Sequence, residues 1–377
     1  MLCWGKTGLA PAETVLKPQK CIMAATAIAL QRLYQQRLSQ NPLATPGEIV
    51  AWLGAVQAQD YLGAKWALGL RMQNATDDVI ERAFTAGTIL RTHVMRPTWH
   101  FVNPADIRWI LELTTPRVNA VNAYTYRQFE LDDALFSRSN AVIAKALQGG
   151  KHLTRAELGS ALAQAGIVAE GIRLTLLMMR AELDVIICSG PRRGKQFAYA
   201  LLDERAPQAG VLKRDEALAE LTRRYYTGHG PATVQDFAWW SGLTVADAKA
   251  GLEMAASDLT HEVIDGQTYW FSASMPPAAE PSQAAFLLPT YDEFLVGFAS
   301  FDESRRGGRG ASEDVVFNST IVIGGQVVGS WRRTFKRGSV VIELAPFARL
   351  TAAEAEAVTA AAQRYGEFLG MPVVLSN

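Results

Sequence analysis

Cysteine is scarce in this chain: its 377 residues contain only Cys3, Cys21 and Cys188, and none stands in a C-x-x-C pair. That scarcity excludes a disulfide framework and a zinc knuckle, and it fits a reducing cytoplasm. Histidine is sparse too, with 5 in the chain and no cluster at metal-ligand spacing, so neither a metal nor another cofactor is expected. A surplus of charge is also missing. The 37 lysines and arginines balance 37 acidic residues, so any surface for a polyanion has to be a local patch. No uninterrupted apolar run of about 18 residues is present to span a bilayer. Glycine-rich phosphate loops, a nucleophile elbow and metalloprotease spacing are absent as well.

What the chain has is apolar content, 49% hydrophobic, over a length too great for one ordinary core, so two or three packed units are expected. Residues 1–22 mix Trp4, lysines, prolines and two of the cysteines, and read as a disordered leader or a mis-assigned start ahead of Met23. A first unit spans 23–138. Ile28, Leu30, Leu33, Tyr34 and Leu38 recur near helical spacing. After a break at Asn41 to Pro46, the proline opens a helix through Val56. Asp77 to Ala86 is a further helix stopped by Gly87, Ile89 to Val102 alternates as a strand pair, and Asn103 to Asp106 caps a helix to Leu113.

A second unit spans 139–210. Thr154 and Glu157 have capping-box spacing and start a helix to Ala165, with Gly166 as its stop. A helix from Gly171 to Leu183, a strand at Val185 to Cys188, a basic turn and a returning strand from Gln196 to Leu201 follow. Helix, helix, strand, turn, strand is the order of a winged helix. It recurs in a third unit, 211–273, whose hairpin turns at Asp265-Gly266. A Pro/Ala-rich linker, 274–282, leads to a β-rich unit, 283–377, with strands at Ala285 to Leu288, Val315 to Ile323, Gln326 to Phe335 and Ser339 to Leu344. An alanine-rich helix from Thr351 to Leu369 closes it.

Four blocks carry more specific information: Gly54-Ala55-Val56-Gln57-Ala58-Gln59-Asp60; Arg91 through Val102, reading RTHVMRPTWHFV; Gly230-Pro231-Ala232-Thr233 with Asp236-Phe237-Ala238-Trp239-Trp240; and Leu287 through Glu293, reading LLPTYDE. In order and content they resemble the winged-helix DNA glycosylases that release alkylated purines, the AlkZ-like and YcaQ-like proteins, some of which undo interstrand crosslinks. The resemblance implies an α+β fold of tandem winged-helix units in a C-shaped clamp, with a small β-barrel-like domain at the C-terminal end. It also implies that Gln57 and Gln59, matching a Gln-x-Gln motif, are catalytic. The sequence departs from the family pattern at Pro97, where glycine is expected, and after the LLP block, where Gly297 to Phe301 replaces an aspartate-arginine pair.

A glutamine amide only donates and accepts hydrogen bonds, so it serves a reaction that needs little proton transfer. An N7- or N3-alkylated purine is already cationic and leaves as a neutral base. What remains is to stabilise the cation growing on the deoxyribose and to place a water, which fixed amide oxygens can do. Residues i and i+2 share a face only on extended chain, so the helix from Pro46 has to unwind near Val56 for both amides to serve one site. The plainer alternative makes Gln57 a packing residue and Gln59 a solvated one.

Candidate DNA contacts are Arg91, Arg96 and His100 on the first strand pair, Arg192, Arg193 and Lys195 at a wing tip, and Arg332, Arg333, Lys336 and Arg337 in the last unit. Arg305, Arg306 and Arg309 form a further glycine-flanked group. Each cluster also reads as an ordinary solvated run. His100 reads equally as a packed histidine, Trp239 and Trp240 read as core, and Asp60, Asp292 and Glu293 as water-assisting or turn-capping groups, with the structural role preferred for Glu293. The expected protein is a monomeric, cytoplasmic, nucleoid-associated DNA glycosylase acting on double-stranded DNA without a membrane partner. The rivals are a non-catalytic winged-helix regulator, which would dimerise on half-sites, and a scaffold that has lost DNA binding.

Overall fold

A helix that begins at a fixed residue needs acceptors for its free N–H groups, and the chain supplies them repeatedly. In the computed structural model, which describes residues 17–40, 42–276, 284–299 and 319–376, Thr45, Thr154, Thr233, Thr244 and Thr351 each close a capping box with the acid three residues on. The result is a mixed α+β chain. Among the described residues, no helix is long and apolar enough to cross a membrane.

Helix α1 (Lys17–Gln35) precedes an arrangement that occurs three times: helix, short strand, helix, helix, hairpin. The first group is α2 (Pro46–Leu53), β1 (Val56–Gln57), α3 (Tyr61–Leu70), α4 (Asp77–Ala86), β2 (Leu90–Val94) and β3 (Arg96–Val102), with β3 central in its sheet. Helix α5 (Ile107–Gln128) leads to the second group: α6 (Asp133–Leu147), β4 (Leu153–Thr154), α7 (Arg155–Gln164), α8 (Gly171–Leu183), β5 (Ile187–Ser189) and β6 (Ala198–Leu201). There β6 is again the middle strand. After α9 (Leu202–Arg205), the third group is α10 (Arg214–His229), α11 (Val234–Ser241), α12 (Val245–Met254), β7 (Leu259–Ile264) and β8 (Gln267–Ser272). A single bridge, Ala232 to Trp270, stands in for its short strand.

The last part holds β9 (Ala285–Leu288), α13 (Glu293–Val296), β10 (Ser319–Ile323), β11 (Gln326–Lys336), β12 (Ser339–Pro346), α14 (Ala352–Leu369) and β13 (Val373–Ser376). Its sheet order is β13-β12-β11-β10-β9. Among its described strands, only β12 and β13 run parallel. Where a barrel-like closure was expected, β9 and β13 are the two sheet ends among the described residues, and α14 covers one face through Tyr365 and Phe368, which meet Trp66 of α3.

Two hydrophobic cores share the chain. One joins the β2–β3 hairpin to the second and third groups, and the other joins α2, α3 and α4 to the C-terminal sheet. Ala55 belongs to the first core and Val56 to the second. Successive residues of an extended chain point to opposite sides, so β1 lies along the seam between the cores.

Several expectations shift. The expected leader 1–22 overlaps α1, which begins at Lys17, and residues 1–16 lie outside the described residues. Helix α3 was not foreseen: it is buried nearly all round, so it carries no amphipathic period. Two of its positions, Gly63 and Gly69, sit where a Cβ would press on Asp60, Pro289 and Phe368. Helix α5 runs past Leu113 through Pro116 to Gln128. The boundary at Ser139 falls inside α6, which Asp132 caps. Residues 277–283, most of the expected linker, lie outside the described residues, as do the expected strand residues 315–318.

Candidate active site

Gly54 ends α2 at φ +80°, a backbone region costly for any residue with a Cβ. The chain then runs extended: Val56 and Gln57 pair antiparallel with Phe101 and His100, and the Ala58 N–H donates to the Trp99 carbonyl at 2.7 Å. In the second group the matching strand passes straight into α7 at Arg155, whereas here Ala58, Gln59 and Asp60 intervene before α3. The unwinding that the two glutamines require is present.

Arginines from three separate places converge on this short stretch, and a fourth stands just beyond it. From β3, Arg96 donates from Nη2 to Gln57 Oε1 at 2.9 Å. From β2, Arg91 donates from Nε to the Ala58 carbonyl at 3.0 Å. From β11, Arg333 donates to Asp60 Oδ2 at 2.9 Å. From the loop between β5 and β6, the Arg192 guanidinium stands 5.0 Å from the centroid of the Tyr61 ring. Gln59, which is exposed, accepts the backbone N–H of Trp99 on Oε1 at 3.3 Å. Both glutamine oxygens are therefore tied to β3, by residues three apart.

Below Gln57 lies a buried anion. Strand β1 is a sheet edge, so the outward N–H of Gln57 needs a partner, and it donates to Glu293 Oε1 at 2.7 Å. The other oxygen, Oε2, accepts from Trp240 Nε1 at 2.9 Å and from His229 Nε2 at 3.3 Å. Burial alone would raise the Glu293 pKa, but His229 and the Gln57 amide outweigh it and hold it at about 2. The pKa of His100, fully enclosed, also moves down, which for an imidazole favours the neutral form: burial and then the Arg96 charge lower it to about 3. Burial also lowers Arg96 and brings Arg91 to about 10.

Two open surfaces flank the stretch. Beside Gln57, the Arg96 guanidinium lies 5.9 Å from the ring of Trp239, whose indole N–H donates to the Val296 carbonyl at 3.1 Å and which is 49% exposed. Beside Gln59, a cavity of about 550 Å³ is lined by Arg91, Trp99, Arg155, Lys195, Phe197 and Tyr199 among others. The arrangement offers two fixed amides, several converging arginines and a buried carboxylate.

A model of the family described as DNA glycosylase AlkZ-like matches residues 50–368. The chain belongs to that family. A curated relative, the interstrand DNA cross-link repair glycosylase of Streptomyces sahachiroi, is 24% identical over 326 residues, covering 80% of this chain and 85% of the relative. The solved structure of Streptomyces sahachiroi DNA glycosylase AlkZ aligns with a TM-score of 0.76 at 20% identity, over 93% of this chain and 99% of that one, so the two share a fold. Membership makes this AlkZ-like chain a DNA glycosylase, an N-glycosyl hydrolase of DNA repair.

In this AlkZ-like chain the expected cations meet different fates. Arg192 pairs with Glu81 at 3.2 Å and Arg193 with Glu157, so a cluster without acids in sequence acquires them in space. Lys195 stays exposed at the cavity, and Arg332, Lys336 and Arg337 stay exposed on β11 and its turn. Arg305, Arg306 and Arg309 lie outside the described residues. His100 as a phosphate contact is corrected: it is 0% exposed, and its Nδ1 faces the Thr98 carbonyl at 3.0 Å. The reading of both tryptophans as core holds for Trp240 and fails for Trp239. Asp292 forms a buried two-pronged pair with Arg71, both contacts at 2.8 Å, and also caps α13. Trp99, Phe197 and Arg155 were not singled out from sequence. Trp99 was legible from its place opposite the motif on a strand pair, but the other two reach the site from the second group and gave no local signal.

Proposed function

We propose that this chain hydrolyses the N-glycosidic bond of N-alkylated purines in double-stranded DNA, as a monofunctional, metal-free glycosylase with Gln57 and Gln59 at the reaction centre. The observation that carries the reading is the extended stretch from Gln57 to Gln59, with both amide oxygens anchored to β3. A cationic purine needs no acid to leave, so the protein's task is electrostatic and positional. Each amide oxygen keeps a second lone pair after its contact with β3, and that lone pair faces the sugar and a water. Gln57 is 7% exposed, a placement suited to a rigid contact. Gln59 is the more accessible of the two.

The three repeated groups are winged-helix units forming the clamp, and the C-terminal sheet with α14 is the closing domain. Phosphates of the duplex meet Lys195, Arg332, Lys336 and Arg337, while Arg91 and Arg96 act nearer the lesion. The protein works as a monomer, in the cytoplasm and on the nucleoid. The name of the Streptomyces sahachiroi relative extends the reading to interstrand crosslinks. A crosslinked base is tethered to the opposite strand and cannot be extruded as most glycosylases require, so an open clamp suits it.

The test is incubation with duplex DNA carrying 7-methylguanine, or a nitrogen-mustard crosslink, followed by detection of alkali-labile abasic sites. Release is expected from the wild type and not from the Gln57→Ala, Gln59→Ala double variant. Equal release from both removes the proposal.

A further inference from the structure

Glu293 lies 236 residues from Gln57 in sequence, yet its carboxylate is the partner of the Gln57 backbone N–H. Four elements meet at this one fully buried side chain: β1 through Gln57, α10 through His229, α11 through Trp240, and α13, which Glu293 itself begins. An N–H at a sheet edge normally finds water or a neighbouring strand. Here a carboxylate takes it, and the other carboxylate oxygen is locked by an indole and an imidazole.

The same tryptophan pair reaches Gln57 from its other end. Trp239 lies against Arg96, and Arg96 holds the Gln57 amide oxygen. Gly242, just beyond, sits so close to the Met95 carbonyl that a Cβ there would stand 2.2 Å from it. The third group is thus pressed against the turn that aims Arg96.

We propose that Glu293 is a positioning residue for glycosidic-bond cleavage, fixing the backbone of Gln57 so that Arg96 can fix its amide, with Trp240 and His229 holding the carboxylate in register. This inference rests on the reading of Gln57 as a reaction-centre residue. An edge strand of two residues has little pairing of its own to set its height. A displacement of about 1 Å at a reaction centre costs on the order of a hundredfold in rate. Glu293→Gln is nearly isosteric but presents an NH₂ group to either the Gln57 N–H or the Trp240 N–H, so one of those two contacts becomes donor against donor.

The experiment is single-turnover release of 7-methylguanine from duplex DNA by wild type, Glu293→Gln, Gln57→Ala and the double variant, with duplex affinity measured in parallel. Expected is a loss of roughly a hundredfold for Glu293→Gln, unchanged duplex affinity, and no further loss when the change is added to Gln57→Ala. A residue acting only through Gln57 has nothing left to position in its absence. Trp240→Phe, which removes one donor and keeps the ring, is the second variant should Glu293→Gln fail to fold. It is expected to give a smaller loss that also vanishes in the Gln57→Ala background. The same factor lost in both backgrounds, or a wild-type rate for Glu293→Gln, overturns the inference while leaving Gln57 in place. A wild-type rate for Gln57→Ala removes the underlying reading, and the inference with it.

Discussion

Arg96 donates to the amide oxygen of Gln57 at 2.9 Å while its guanidinium lies against the half-exposed ring of Trp239. The contact turns a flexible amide into a fixed one, because the arginine is itself buried on one side and capped by an indole on the other.

Replacing Arg96 with methionine keeps most of its volume and removes the donor. The single-turnover rate is expected to fall by about tenfold to a hundredfold, with duplex affinity reduced far less. An affinity loss equal to the rate loss would mean that Arg96 only attracts phosphate.

Arg71 and Asp292 form a buried ion pair, with Gln36 Oε1 accepting a further bond from Arg71 at 2.8 Å. Removing one partner leaves the other charge buried and alone, so Arg71→Met is expected to lower unfolding free energy by about 3–5 kcal/mol in urea titration. Combining it with Asp292→Leu should restore a large part of that loss. Strict additivity of the two changes would show that the pair is not coupled.

Acid should destabilise the protein in two stages. His100 has a folded pKa of about 3 against its usual 6.5, so the unfolded chain takes up that proton first and stability falls as pH drops from 6.5 towards 3. Glu293, held at about 2 against its usual 4.5, adds a second loss as pH falls from 4.5 towards 2, with its stabilisation fully present above 4.5. Each group contributes a slope approaching about 1.4 kcal/mol per pH unit inside its window. Between pH 6.5 and 5, His100→Gln should flatten the urea midpoint's dependence on pH, and an unchanged slope would assign the effect elsewhere.

Salt dependence of duplex binding should separate the basic clusters. Arg332, Lys336 and Arg337 are exposed, and neutralising all three is expected to reduce the slope of log K against log salt by about 2–3. Neutralising Arg192 and Arg193 should change it little, because Glu81 and Glu157 already hold them. Anisotropy titrations at four salt concentrations decide the matter, and the reverse ranking would move the DNA footprint to the second group.

Much of the architecture was readable residue by residue. Thr154 with Glu157, Thr233 with Asp236 and Thr351 with Glu354 are capping boxes closed within four residues. Asp265 and Gly266 turn the third hairpin at φ +51° and +79°. Gly54 is an equally local stop, although the helix expected through Val56 ends at Leu53 because of it. Such features are local: the groups that satisfy one another are near neighbours in the chain, so order alone reveals them.

The sequence by itself therefore determined the capped helix starts, the hairpin turn at Asp265-Gly266 and the recurrence of one helix-and-hairpin order in the second and third units, and its resemblance marked the Gln57–Gln59 stretch. Tertiary structure alone decided which charges are spent and which remain free. Glu81 reaches Arg192 across 111 residues, Arg333 reaches Asp60 across 273, and Glu293 reaches Gln57 across 236. The physical reason is desolvation. A buried charge or an edge amide has to find a partner wherever packing brings one, and packing joins residues by shape and volume rather than by position along the chain.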